Sequence, residues 1–134
     1  MKELVLDRLK EISQSHQNLD NPAIVVVEAA VLLDANWDEN DLFDGIWIIR
    51  SSEETSIDRL INKRGITEEE AIKRIHSQYE RRGIGNYEDE LNAGNVTSII
   101  VNEGPDLWNQ LKKCLLDSSS WKKGRKPKLQ KVEK

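Results

Sequence analysis

Cysteine is almost missing from this 134-residue sequence: Cys114 stands alone, so no disulfide can form within the chain. A single thiol fits a reducing compartment, and the cytoplasm is the expected location. Cys114 itself reads as a small buried apolar residue, not a nucleophile. Aromatic residues are equally scarce at 5%, and there are only three prolines. No apolar run approaches the roughly 20 residues that span a bilayer, so no membrane helix is expected. Residues 1–16 alternate charged and apolar positions, which excludes the uninterrupted apolar core of a secretory leader. The two histidines, His16 and His76, lie far apart with no ligand partner at helical spacing, so both read as surface residues.

What is abundant is charge. Charged residues make up 33% of the chain against 37% hydrophobic, with a net charge of −4. The balance is uneven. Residues 118–134 hold seven Lys or Arg against Glu133 alone, a surplus of +6, which leaves −10 on residues 1–117. An acidic body is a poor partner for nucleic acid. The expected organisation is one domain over residues 1–117 followed by a basic, disordered tail over 118–134. The tail is open to two readings, a solvated end or a segment for nuclear import or anion binding.

Three continuous apolar runs, Ala23–Val27, Ile46–Ile49 and Ser98–Val101, have the pattern of buried parallel strands. Turn residues bound them: Asn21-Pro22, Asp44-Gly45 and Asn102-Glu103-Gly104. Helical spacing fills the gaps. Val5, Leu9 and Ile12 form one stripe. Ser51 with Glu54, and Thr67 with Glu70, form capping boxes that open two helices, the second running to about Tyr79. Gly104-Pro105 opens a last helix with Leu107, Leu111 and Leu115 on one face. Trp37, Trp47 and Trp108 are expected in or near the core. Gly83–Asn95, with three glycines and the run Glu88-Asp89-Glu90, reads as a mobile loop. Alternation of helix and strand predicts an α/β fold with a parallel sheet.

Open parallel sheets bind ligands at the carboxyl ends of their strands, which directs attention to Glu28 and to the charged stretch from Arg59 to Gln78. Glu28, at the end of the first run, suits either a metal-side acid or a carboxylate at a helix start. Arg59 and Arg64 flank the end of one helix, and Arg74 and Gln78 share a face of the next. Guanidinium groups on a hinged arm can meet charge developing on a transferring phosphoryl group. The same pattern also suits a solvated helix laced with Glu–Arg pairs, such as Glu70 with Arg74.

The motifs converge on a family. Val26-Val27-Glu28-Ala29-Ala30-Val31-Leu32-Leu33-Asp34-Ala35-Asn36-Trp37, then Phe43-Asp44-Gly45-Ile46-Trp47, resemble successive strand and helix segments of dephospho-CoA kinases. The likeness is greatest to the kinase domain of eukaryotic bifunctional CoA synthases. Glu53-Glu54-Thr55 through Arg59-Leu60, Arg64-Gly65-Ile66-Thr67-Glu68-Glu69-Glu70-Ala71 and Arg74-Ile75-His76-Ser77-Gln78 are similar to the approach and helix of that family's lid, placed here at about residues 64–95. Val101-Asn102-Glu103-Gly104 is similar to its last strand and following loop. The resemblance runs collinearly from Met1 to about Leu116.

It implies a partial phosphate-loop, nucleoside-monophosphate-kinase-like parallel sheet with flanking helices and a helical lid. It implies ATP-dependent phosphorylation of the 3′-hydroxyl of dephospho-CoA, with ATP and Mg as cofactors and dephospho-CoA and ATP as small-molecule partners. Arg64 and Arg74 would contact phosphates. Arg59, Gln78, Asn102, Glu103 and Gly104 would serve the nucleotide, and Glu28 is the candidate magnesium-side acid.

The departures are specific. The sequence has no G-x-x-x-x-G-K-[ST] loop, the usual cradle for β- and γ-phosphates, and no counterpart of the family's catalytic Asp. Where the family usually has Asp-x-Pro, this chain has Glu28-Ala29-Ala30. The chain is therefore expected to be the C-terminal half of the kinase domain, inactive by itself and poorly folded or self-associating without the N-terminal half. Two other readings stand beside this one: a non-catalytic nucleotide- or CoA-binding module, and a structural subunit completed by a partner chain.

Overall fold

A computed structural model describes residues 1–15, 24–39, 42–117 and 121. Helix α1 (Lys2–Ser15) leads to strand β1 (Trp47–Arg50), helices α2 (Glu53–Arg64), α3 (Glu68–His76) and α4 (Tyr87–Asn92), strand β2 (Ser98–Val101), and helix α5 (Leu107–Leu116). The two strands pair in parallel, with Trp47 opposite Ser98 and Arg50 opposite Val101. The molecule is thus α/β, a small two-stranded parallel sheet with flanking helices. Among the described residues no helix is long and apolar enough to cross a membrane.

Both strands are largely apolar, the pattern of parallel strands, but the cover is uneven: Ile100 of β2 is fully buried and Ile49 of β1 is 58% exposed. The ladder continues past each end. Thr97 N donates to Ile46 O at 2.8 Å, and Asn102 N to Arg50 O at 2.7 Å. The Gln110 side chain of α5 meets both backbone groups of Val101, accepting from its N–H and donating to its C=O at 2.9 Å each. Those groups would otherwise need another partner. Leu33, Ile46 and Val96 form the buried centre, with Leu32, Phe43 and Ile48 packed against it, and Ile100 and Ala71 are fully covered.

The first expected strand does not form. Residues 24–29 have no regular structure, and Ile24, Val25 and Val26 are 45%, 41% and 84% exposed; Ala23 lies outside the described residues. A strand exists only by pairing, and among the described residues β1 pairs with β2 alone. Turns follow over residues 30–38, with Asn36 among them at φ 56°.

Other expectations shift in detail. The cap of α2 is Ser52, one residue after the expected Ser51, with its hydroxyl accepting from Thr55 N. Thr67 caps α3 as predicted, accepting from Glu70 N. That helix stops at His76, short of Tyr79. Gly104–Asp106 forms a tight 3₁₀ turn that leads into α5 at Leu107. The expected loop at Gly83–Asn95 contains α4, held by the buried Glu90. Trp108 is 71% exposed, against the core position expected. It lies one residue beyond Leu107 and so 100° round the helix from the covered face. Trp37 and Trp47 are half-buried, and Trp47 meets Trp121 edge-on with ring centroids 5.8 Å apart. Cys114 is half-buried. His16 and, apart from Trp121, the tail lie outside the described residues.

Candidate functional site

The carboxyl end of β1 opens into a cleft of about 1190 Å³, walled by α2, the end of α3 and the turn at residues 83–87. Its position follows from chain direction. Strand β1 ends at Arg50, Ser52 starts α2, and Gly65 ends α2 in a left-handed conformation (φ 63°) that an L side chain resists. The chain then reverses, so α3 returns alongside α2. A second glycine, Gly85, closes the far wall, because a Cβ there would collide with the Tyr79 carbonyl.

The cleft is cationic. Arg50, Arg59, Lys63, Arg64 and Arg74 line it against one carboxylate, Glu53. Arg50 lies over the Tyr87 ring, 4.3 Å from the centroid. Arg59 is fixed, donating to Ser51 Oγ at 2.7 Å and to Asn102 O at 2.9 Å. Arg64 and Arg74 are exposed and form no ion pair among the described residues. The Glu70–Arg74 pair that helical spacing allows is not made. Like charges gathered without counter-charges repel, so the arrangement favours an anion.

Of the residues singled out by sequence, Arg59, Arg64, Arg74 and Gln78 come together here. Asn102 and Glu103 sit at its base. Asn102 O receives Ser51 Oγ at 3.2 Å as well as Arg59, and the Glu103 carboxylate accepts from Ser52 N. That backbone amide holds the Glu103 carboxyl below its ordinary range. Gly104 turns the chain away with φ 67°. Glu28 is not brought to the cleft and stands exposed in the 24–29 segment. Among the described residues no three His, Cys, Asp or Glu side chains gather as a metal site. Magnesium commonly keeps several waters and binds through substrate phosphates with one or two carboxylates. The described residues build no cage for it.

Two groupings escaped the sequence reading. In the first, both Glu53 oxygens are occupied: His76 Nε2 donates to Oε1 at 2.7 Å and Tyr79 OH to Oε2 at 2.6 Å. Tyr79, then His76, hold the Glu53 carboxyl below its usual range, and that carboxylate raises the Tyr79 hydroxyl. The spacing of His76 and Tyr79 was visible in the sequence, but Glu53 lies 23 residues before His76. In the second, Arg82 is bidentate to both Asp38 and Glu90, at 2.7–3.0 Å, and also reaches Leu33 O and Asn36 Oδ1. No local signal separates Arg82 from Arg81.

Fold and cleft together define an α/β protein with an anion-attracting site at the carboxyl end of a parallel sheet. The sequence model of the CoaE family, dephospho-CoA kinase, matches residues 4–102. The chain belongs to the dephospho-CoA kinase family. It is 36% identical over 75 residues to a dephospho-CoA kinase of Streptococcus mutans serotype c, covering 56% of this chain and 37% of that one. A dephospho-CoA kinase of Lactobacillus acidophilus is 33% identical over 75 residues, covering 56% and 36%. The chain thus spans little more than a third of the length of these relatives. No solved structure gives a significant match.

Proposed function

We propose that this chain carries the phosphate-gripping lid region of a dephospho-CoA kinase, which transfers the γ-phosphoryl of ATP to the 3′-hydroxyl of dephospho-CoA. The observation that carries the reading is the cleft's five cations against one carboxylate at the end of β1. Arg64 and Arg74 contact phosphate oxygens, where planar guanidinium groups bind bidentately. Arg59, locked to Ser51 and Asn102, joins the lid's base to the strand ends. Gln78 orients the end of the lid helix. Asn102, Glu103 and Gly104 serve the adenine side, and Glu28, which stands outside the cleft, is the acid that would serve the magnesium side. ATP brings magnesium with it, which neutralises developing phosphate charge. The finer likeness to eukaryotic bifunctional CoA synthases rests on residues 26–37.

The 134 residues contain no G-x-x-x-x-G-K-[ST] loop and no counterpart of the catalytic Asp, so this chain binds phosphate without turning over. Calorimetric titration with Mg-ATP and with pyrophosphate at low ionic strength tests this, beside an assay for CoA formation. The wild-type chain should bind both probes, and Arg64→Ala with Arg74→Ala should weaken each roughly a hundredfold, about the loss of two charge-assisted contacts. No binding at millimolar ligand, or unchanged affinity in the double variant, would overturn the cleft assignment. Turnover in the ordinary kinase range of roughly 1–100 per second would refute the need for further chain. A non-catalytic nucleotide-binding module gives the same binding, and differs in staying inactive when the remaining family segments are supplied.

A further inference from the structure

Glu53 is the one acid lining a cleft that otherwise carries five cations. On charge alone it opposes an anionic ligand, and removing it should tighten binding. Its bonding suggests a different role. Glu53 is the first residue of α2, and His76 the last of α3. Their contact joins the start of one helix to the end of its antiparallel neighbour. Tyr79 lies in the turn that follows, and its hydroxyl takes the second carboxylate oxygen. The His76 and Tyr79 rings lie 5.3 Å apart and tilted by 30°, so the two donors approach Glu53 side by side. Helix dipoles favour an acid at the start of α2 and a cation at the end of α3. Arg74 and Gln78 occupy the same short arc, on either side of His76.

We infer that Glu53 is a positioning residue: its carboxylate clamps His76 and Tyr79 and so sets where Arg74 and Gln78 stand over the cleft. This rests on the reading of the cleft as a phosphate site. The Glu53 and His76 side chains are 44% and 54% exposed, so their ion pair adds little to global stability. Local opening needs far less free energy than global unfolding, so two hydrogen bonds are enough to bias one arm. The carboxylate therefore lowers the charge of the cleft but holds the wall around His76 and Tyr79 in place.

The sign of one substitution separates the two roles. Mg-ATP and pyrophosphate are titrated into the wild-type chain, Glu53→Gln, Tyr79→Phe, His76→Ala and the double variant Glu53→Gln/His76→Ala. If Glu53 is only a counter-charge, Glu53→Gln tightens binding about twofold, the size of a screened charge several ångströms away. As a clamp, Glu53→Gln weakens binding fivefold or more. Tyr79→Phe, which changes no charge, moves the same way. His76→Ala also weakens binding although His76 does not line the cleft, and the double variant is no weaker than Glu53→Gln alone because the His76–Glu53 contact is already disrupted in that variant. Tighter binding in Glu53→Gln, or an unchanged Tyr79→Phe, overturns the clamp and leaves the phosphate site standing. If the wild-type chain binds neither probe, the phosphate reading falls and the clamp is decided without ligand. Amide hydrogen exchange at residues 77–87 should then quicken in Glu53→Gln and Tyr79→Phe, and unchanged exchange overturns it.

Discussion

Two arginine sites in this molecule face opposite conditions. Arg82 lies among acceptors, with both Asp38 oxygens, both Glu90 oxygens, a backbone carbonyl and the Asn36 amide around its guanidinium group. Arg64 and Arg74 share the cleft with further cations and have no acid bonded to them among the described residues. A guanidinium that already has its counter-charges holds structure together: Arg82 ties the 33–38 turns to α4 and so sets the base of residues 83–87. A guanidinium without them is left to solvent or to an incoming anion, and the fold gains little from it. Residue type is the same at both sites, so the difference lies in what the backbone brings near.

The largest test of the contrast is Arg82→Ala. Glu90 is only 5% exposed and would keep its bond from Asn95 Nδ2 but lose its counter-charge. Removing one partner of a buried pair typically costs 3–5 kcal/mol, and with 30% of the Arg82 side chain in solvent about 3 kcal/mol is expected. Urea unfolding measures it; a loss under about 1 kcal/mol would place Arg82 with the solvated surface pairs.

Acid should reveal the same site with a smaller effect. Arg82 holds the Asp38 and Glu90 carboxyls below their ordinary values. Folded values lie below unfolded ones, so this stabilisation is complete at neutral pH. It declines as pH falls below about 4, where the unfolded carboxyls take up protons, and is gone once the folded carboxyls are protonated. Urea midpoints from pH 6 to pH 3 should fall in the wild-type chain and fall less in Arg82→Ala. Parallel curves would mean that other carboxylates govern acid sensitivity.

The smallest effect belongs to the cleft. Arg64→Ala and Arg74→Ala should each change the unfolding free energy by less than about 0.5 kcal/mol, as surface substitutions outside a bonded network do. Their loss of phosphate affinity would then be a property of the site. A destabilisation above about 1 kcal/mol in either variant would erase the distinction between the two kinds of arginine.

Local structure was legible wherever one residue's chemistry decides it. Thr67 caps α3 because its hydroxyl reaches the Glu70 amide three residues on. Ser98–Val101 is a strand because three apolar residues, Ile99, Ile100 and Val101, follow a turn, and the Ile46–Ile49 run differs from β1 by a single residue at each end. The gathering of Arg59, Arg64, Arg74 and Gln78 followed from a hinge at Gly65 between two helices. The run at residues 23–27 misled, since its apolar pattern states what a strand would bury but not whether a neighbour is there to pair with it. Gly83–Asn95 has the composition of a mobile loop, and what orders it as α4 is the pairing of the buried Glu90 with Arg82.

By itself, then, the sequence determined the start of α3, the apolar runs of β1 and β2, the cationic stretch and the family. These are properties of residues within a few positions of one another, or of motifs in fixed order. The tertiary structure alone decided which charges are neutralised. Asp38 and Arg82 lie 44 residues apart and Glu53 and Tyr79 26 apart. Whether such groups meet depends on how helices pack and where turns point. A Coulomb interaction falls with distance through space and is indifferent to distance along the chain.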